Sequence, residues 1–177
     1  IMTRKAFENA VIVASAIGGS SNCTTHLSAI AKHMGIKFDL SNWQKLGHEI
    51  PLLVNCQPAG EYLMESFYRA GGVPAVMQEL IKHKKIHTKI MTVSGKTVGN
   101  NLKRKIETDK KVIKPFEDCL TEKAGFLVMK SNFFKSAIMK TSVISKDFRE
   151  RYLSNPKQPN AFVGKAVVFE GPEDYHK

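Results

Sequence analysis

The 177 residues are 42% apolar and 24% charged, the balance of an ordinary globular domain, which excludes a disordered, fibrous or collagen-like chain. The longest apolar run, Ala10–Ile17, is far too short to cross a membrane. The outlier is charge: 27 basic against 16 acidic residues give +11. Glu8 and Asn9 interrupt what would be the core of a signal peptide. Three cysteines are too few, and odd in number, for a disulfide framework, so a reducing, cytoplasmic setting is expected.

Taken in chain order, Lys5 to Ile17 reads as a helix, with Phe7, Val11 and Ala14 on one face and Gly18-Gly19 as its stop. Ser20, Ser21 and Asn22 offer caps for a second helix, Cys23 to Met34, with Leu27, Ile30, Ala31 and Met34 as its stripe. Asp39 or Ser41 caps a short helix carrying Trp43 and Leu46. Pro51 to Cys56 is an apolar run bounded by prolines and reads as a buried strand. Glu61 to Arg69 returns to helix, and Gly71-Gly72 breaks it. Pro74, at a first-turn position, opens the next helix, to about Lys84. Ile90 to Val93 is strand-like, and a helix begins near Lys96.

The grammar changes near Pro115. Phe126 to Met129, Ala137 to Val143 and Phe162 to Phe169 are short apolar or alternating runs, with a helical turn at Lys146 to Tyr152. A boundary is expected at residues 107–116, dividing an α/β, helix–strand layered part (1–110) from the opening of a mostly β domain (111–177). The chain starts at Ile1 and ends in the loop-like Glu170 to His176, so a segment of something larger is expected.

Candidate chemistry is sparse. Gly18-Gly19-Ser20-Ser21-Asn22 places helix-start amides, two hydroxyls and an amide side chain together, a nest for a carboxylate or phosphate. Ser94-Gly95-Lys96-Thr97 has the ending of a phosphate-binding loop, but Ile90 stands where its first glycine belongs, so nucleotide binding is rejected. Cys23, Cys56 and Cys119 lack the close spacing of metal or cluster ligands and read as inert thiols. His26 and His33 share a helix face without a third ligand. Between Lys82 and Lys114, eleven basic residues face only Glu107 and Asp109, which accounts for +9 of the +11. That stretch could hold a polyanion, but only Phe116 is near enough to stack on bases, so nucleic acid is disfavoured.

Several strings together carry a resemblance. Ala16-Ile-Gly-Gly-Ser-Ser-Asn22 followed by His26-Leu27 resembles the GGSTN…HL element of the dihydroxy-acid dehydratase and phosphogluconate dehydratase family. Pro51-Leu-Leu-Val with Pro58-Ala-Gly60 is similar to its VPxL…PxG stretch, Arg69 to Val76 to its RAGGVPAV, and Thr92 to Thr97 to its TVxGKT. Asn132, Ala137-Ile138 and Lys140 resemble a diverged GNLxPxGAVxK. Phe169 to His176 and Asn132-Phe-Phe look more like the sugar-acid (pentonate) branch than the branched-chain amino-acid enzyme.

The resemblance implies a hydro-lyase that turns a 2,3-dihydroxy acid into a 2-keto-3-deoxy acid. A base takes the C2 proton, an iron–sulfur cluster assists departure of the 3-hydroxyl, and Mg²⁺ holds the carboxylate and 2-hydroxyl. It also implies a homo-oligomer. The family's cluster cysteines and Mg²⁺ ligands lie upstream of the GGSTN element and its serine base lies downstream of residues 169–176, so no catalytic or metal residue is expected in this segment. Ser20, Ser21 and Asn22 are expected to line the substrate cleft, with a sugar acid as partner. Alone, the segment should be inactive. The alternative is a catalytically dead basic module on the same scaffold, holding a polyanion through Lys82–Lys114.

Overall fold

The computed structural model describes residues 1–133, 135–152, 154–157, 165 and 167–176. Two compact units emerge, residues 1–143 and 144–177.

In the first unit, α1 spans Arg4–Ala16 and is capped by the Thr3 hydroxyl, which accepts from the Ala6 amide. Its end is a left-handed turn at Gly18 (φ +64°), with the Gly19 amide donating to Ala14 and the Gly18 amide to Ser15. α2 (Asn22–His33) and α3 (Leu40–Gly47) follow. Asp39 and Asn42 form a reciprocal capping box at the start of α3, which singles out Asp39 from the two caps the sequence offers. α4 covers Met64–Arg69, α5 Gly72–Lys82 and α6 Val98–Asn101. The last is capped by Thr97, whose hydroxyl accepts from the Asn100 amide.

Two apolar clusters share α1. Ile12 and Ala16 join Leu53, Val54, Val76, Leu80 and Ile113 in one. Phe7, Val11 and Ala14 join Phe38, Trp43 and Phe126 in the other, where the Trp43 and Phe126 rings meet edge to face at 5.0 Å. Gly125 is required here: a Cβ at that position would overlap the carbonyl of Gly47 at the end of α3.

The run 51–56 is buried along its whole length, as its composition predicts. It is extended but joins no multi-stranded sheet. Its backbone is stitched by isolated bridges, Leu52 to Thr121 and Val54 to Ile113, and by the Leu53 amide donating to Ala16. Apart from Ala16, these partners come from residues 112–124, within the same compact unit. Ile90 to Val93 also forms no strand. Met91 bridges Thr97 across a turn at Gly95, and the Thr92 amide donates to Lys96.

The strands among the described residues are β1 (Phe126–Met129) and β2 (Ala137–Lys140), an antiparallel pair in which Phe126 faces Lys140 and Val128 faces Ile138. A 3₁₀ turn, Thr141–Val143, follows β2 and ends the strand-like run earlier than its composition suggests. The fold is thus mixed, helices with one small antiparallel sheet. The second unit holds α7 (Lys146–Tyr152), laced by Arg151–Asp147 and Lys146–Glu150 pairs, and a 3₁₀ turn over Pro172–His176. Half of the run Phe162–Phe169 (162–164 and 166) lies outside the described residues, and residues 167–169 are exposed and irregular. No helix is long and apolar enough to cross a membrane, among the described residues.

Candidate functional site

The α1–α2 turn borders a cavity of about 460 Å³. Gly18, Gly19, Ser20 and Ser21 form one wall, and Cys56, with the cis Gln57–Pro58 peptide, forms a second. Met64 and Phe67 from the start of α4 close a third side, and Lys140 at the end of β2 enters from the fourth. Ser20 and Ser21 line this cavity. Asn22 is the first residue of α2, exposed and outside the wall.

The amide nest at this turn is smaller than its sequence implies. The Asn22 amide donates to Ser20 Oγ at 3.2 Å, the Cys23 amide to the Ser20 carbonyl and the Thr24 amide to the Ser21 carbonyl. A tight first turn therefore consumes the donors a bound anion would need. Ser21 keeps helical backbone angles and its side chain makes no capping bond. Behind Gly18 lies Ser142, whose Oγ is buried without a hydrogen-bond partner among the described residues.

Lys140 supplies what the nest lacks. Residues alternate faces along a strand, so Lys140 shares a face with Ile138, which packs on the Phe7–Trp43–Phe126 cluster. The ammonium thus leaves the strand on its inward side. No carboxylate among the described residues lies within ion-pair distance of it. Burial lowers its pKa, and the Cys23 side chain on α2 opposes that shift. The motif reading includes Lys140 in the GNLxPxGAVxK-like string but gives it no site role, because a lysine at a strand end looks like a solvated terminus. The signal that finds it is the period of two in Ala137-Ile138-Met139-Lys140.

The other candidates do not come together. The Cys56 thiol is buried and donates to the Leu63 carbonyl at 3.6 Å, and burial pushes its pKa up. Burial also raises Cys119, with Glu122 adding to it. A cluster ligand must be a thiolate, and these environments favour the thiol. Among the described residues, the one group of His, Cys, Asp or Glu side chains able to share an ion is Glu79, His83 and Glu117. No cysteine belongs to it, so these residues do not fit an iron–sulfur cluster. Glu79 is already bonded to Lys82 at 2.5 Å and to the Phe116 amide at 3.0 Å, and His83 lies 3.1 Å from Glu117.

Those acids also reshape the basic stretch. A groove of about 640 Å³ is lined by Lys82, Lys105, Lys110 and Lys114, but with Glu79, Glu107 and Glu117 among them. Lys82 pairs with Glu79, Lys105 with Glu107 and Lys114 with Asp118. Phe116 is stacked on His83 at 4.3 Å, and Lys85 sits over its ring at 5.6 Å. Ser94, Thr92 and Asn101 bond one another, so the turn at Lys96 and Thr97 is a helix start. His26 and His33 are exposed on α2.

A cleft lined by hydroxyls and one inward lysine suits a small polar acid, and comparison with known proteins gives the class. Residues 1–101 match the dihydroxy-acid/6-phosphogluconate dehydratase N-terminal family, and the chain belongs to that family. Over 177 residues it is 49% identical to a D-xylonate dehydratase of Caulobacter vibrioides, covering 100% of this chain and 30% of that protein. It is 40% identical to an L-arabinonate dehydratase of Rhizobium leguminosarum, covering 99% and 28%, respectively. A dihydroxy-acid dehydratase of Caldicellulosiruptor saccharolyticus is 39% identical, covering 98% and 30%. The chain therefore spans about 30% of the length of the relatives it matches.

Proposed function

We propose that this chain is a segment of a sugar-acid dehydratase, a hydro-lyase that converts a pentonate to a 2-keto-3-deoxy acid. The observation that carries this reading is the 49% identity to a D-xylonate dehydratase along all 177 residues. The cleft at Gly18–Ser21 agrees in chemistry: Ser20 and Ser21 hydroxyls suit sugar hydroxyls, and Lys140 suits an acid. Asn22 supports the turn from the first position of α2.

The family resemblance brings an iron–sulfur cluster and Mg²⁺. The thiols of this segment are not a ligand set, so residues outside 1–177 would hold both groups in the complete protein. The lyase reaction is accordingly assigned to the complete, homo-oligomeric protein. In that protein, residues 1–110 belong to the α/β domain and 111–177 open a β-rich one, a division supported by the family match ending at residue 101.

The test is turnover by the complete protein of D-xylonate, L-arabinonate and a branched 2,3-dihydroxy acid, with the 2-keto acid product quantified. Pentonates should be consumed faster than the branched acid, and residues 1–177 alone should yield no product. Absence of a 2-keto-3-deoxy product from every aldonate offered to the metal-loaded protein would overturn the assignment.

A further inference from the structure

We propose that Glu79, His83 and Glu117 form a binding site for a divalent cation of the zinc class, set in the groove beside α5. Glu79 and His83 stand four residues apart, so they share one face at the C-terminal end of that helix. His83 Nε2 lies 3.7 Å from Glu79 Oε1. Glu117 arrives from a different element, the 3₁₀ turn Phe116–Asp118, and brings its Oε1 to 3.1 Å from the same nitrogen. One ligand atom from each side chain lies within 4.8 Å of the other two. Tetrahedral ligands of an ion bound at about 2.0–2.1 Å stand about 3.3 Å apart, so small side-chain shifts close this triangle on a cation.

The ligands are oriented by their neighbours. The Phe116 amide donates to Glu79 Oε1 at 3.0 Å, and the Phe116 ring stacks on the His83 imidazole at 4.3 Å, which fixes both the carboxylate and the ring plane. Lys82 takes the other oxygen, Oε2, and so holds Glu79 without covering the atom that faces His83. Exposure grades outward: the side chains of Glu79 and His83 are 12% and 26% exposed, and that of Glu117 is 72% exposed. Two ligands are thus held in the groove, and the third stands at its mouth, where an ion enters. One imidazole nitrogen with two carboxylates suits a zinc-class ion, whereas Mg²⁺ prefers an all-oxygen octahedron and keeps much of its water. The two carboxylates match the charge of the ion, and the nearby ammonium groups of Lys82, Lys85 and Lys114 temper its affinity. A bound ion ties the turn after Pro115 to α5.

The experiment uses the complete protein, first dialysed against a chelator, with Zn²⁺ and Mg²⁺ as the probes. Histidines are carbethoxylated with diethyl pyrocarbonate, and the extent of reaction at His83 is read by peptide mass spectrometry. Zn²⁺ should slow labelling of His83 about 10-fold or more while His26 and His33 keep their rates, and Mg²⁺ should slow none of them. Glu117→Gln alters a largely exposed side chain and leaves the fold intact. It should raise the Zn²⁺ concentration needed for half-protection about 10- to 100-fold. Equal labelling of His83 with and without Zn²⁺ overturns the proposal. Undiminished protection in Glu117→Gln also overturns it, because the ion would then sit on a lone imidazole. A His83 that stays unreactive after chelation is closed to ions from solution, and that result overturns it too. Turnover plays no part in the readout, so success or failure here is separate from that of the lyase assignment.

Discussion

Two cavities of this chain carry charge in opposite ways. The groove beside α5 gathers four lysines but interleaves them with Glu79, Glu107 and Glu117, so most of its charge is already answered. Among the described residues, the cleft at the α1–α2 turn is lined by a single lysine and no acid. A ligand anion gains little where cations are paired, because it must displace a carboxylate that is already bonded. It gains most where one dehydrated cation has no partner. The number of basic residues in a stretch therefore says less about anion binding than the number of acids folded against them. Glu79 and Asp118, which answer Lys82 and Lys114, lie outside the basic run in sequence.

The largest expected effect that tests this contrast comes from distorting the turn that walls the cleft. Gly18 holds φ +64°, and a Cβ there would stand 2.9 Å from Leu52 Cδ1. Gly18→Val should cost about 2–4 kcal/mol, from left-handed strain and overpacking together. Denaturant unfolding measures the loss, and xylonate binding should vanish with it while the α5 groove is untouched. An unaltered midpoint would mean that the turn is not held as described.

Next comes the internal pairing of the groove. Burial pushes the Glu79 carboxyl up, but the Lys82 ammonium and the Phe116 amide more than offset it, so its pKa lies below the ordinary 4.5. Its contribution to stability is full above that value and is lost as pH falls through the lower folded value. Glu79→Gln should cost about 1 kcal/mol at neutral pH, a modest figure because Lys82 is largely exposed to solvent. It should also flatten the fall in stability below pH 4.5 seen in unfolding curves of the parent protein. An unchanged acid limb would show that Glu79 is not held by these partners.

The smallest effect is expected from the lysines themselves. Lys105→Gln with Lys110→Gln should shift stability by about 0.5 kcal/mol or less. In the complete protein, calorimetric titration of this double variant should leave the affinity for the proposed pentonate substrate unchanged. A large drop would move the anion site from the cleft to the groove and reverse the comparison.

Much of the helical part is legible from local chemistry. Asp39 with Asn42, Gly18-Gly19 and Gly71-Gly72 punctuate the chain where the structure starts and stops its helices. Residues 51–56 are legible as buried but not as singly bridged, since their partners at Ile113 and Thr121 lie about sixty to seventy residues away and leave no periodic trace nearby. The site divides in the same way. Ser20 and Ser21 announce themselves as a capping cluster. The saturation of the α2 amides depends on a tight turn whose geometry composition does not encode. Lys140 depends on register, because shifting β2 by one residue would send its side chain to the opposite face.

The order in which the cleft walls occur along the chain has a consequence for synthesis. Residues 17–21, 54–58 and 64–67 leave the ribosome well before Lys140, which reaches its place only when β2 pairs back on β1. A nascent chain can build the turn, the cis-proline wall and the start of α4 and still lack the one cation of the cleft. Within residues 1–177, completion of this cavity therefore waits on the pairing of β2 with β1.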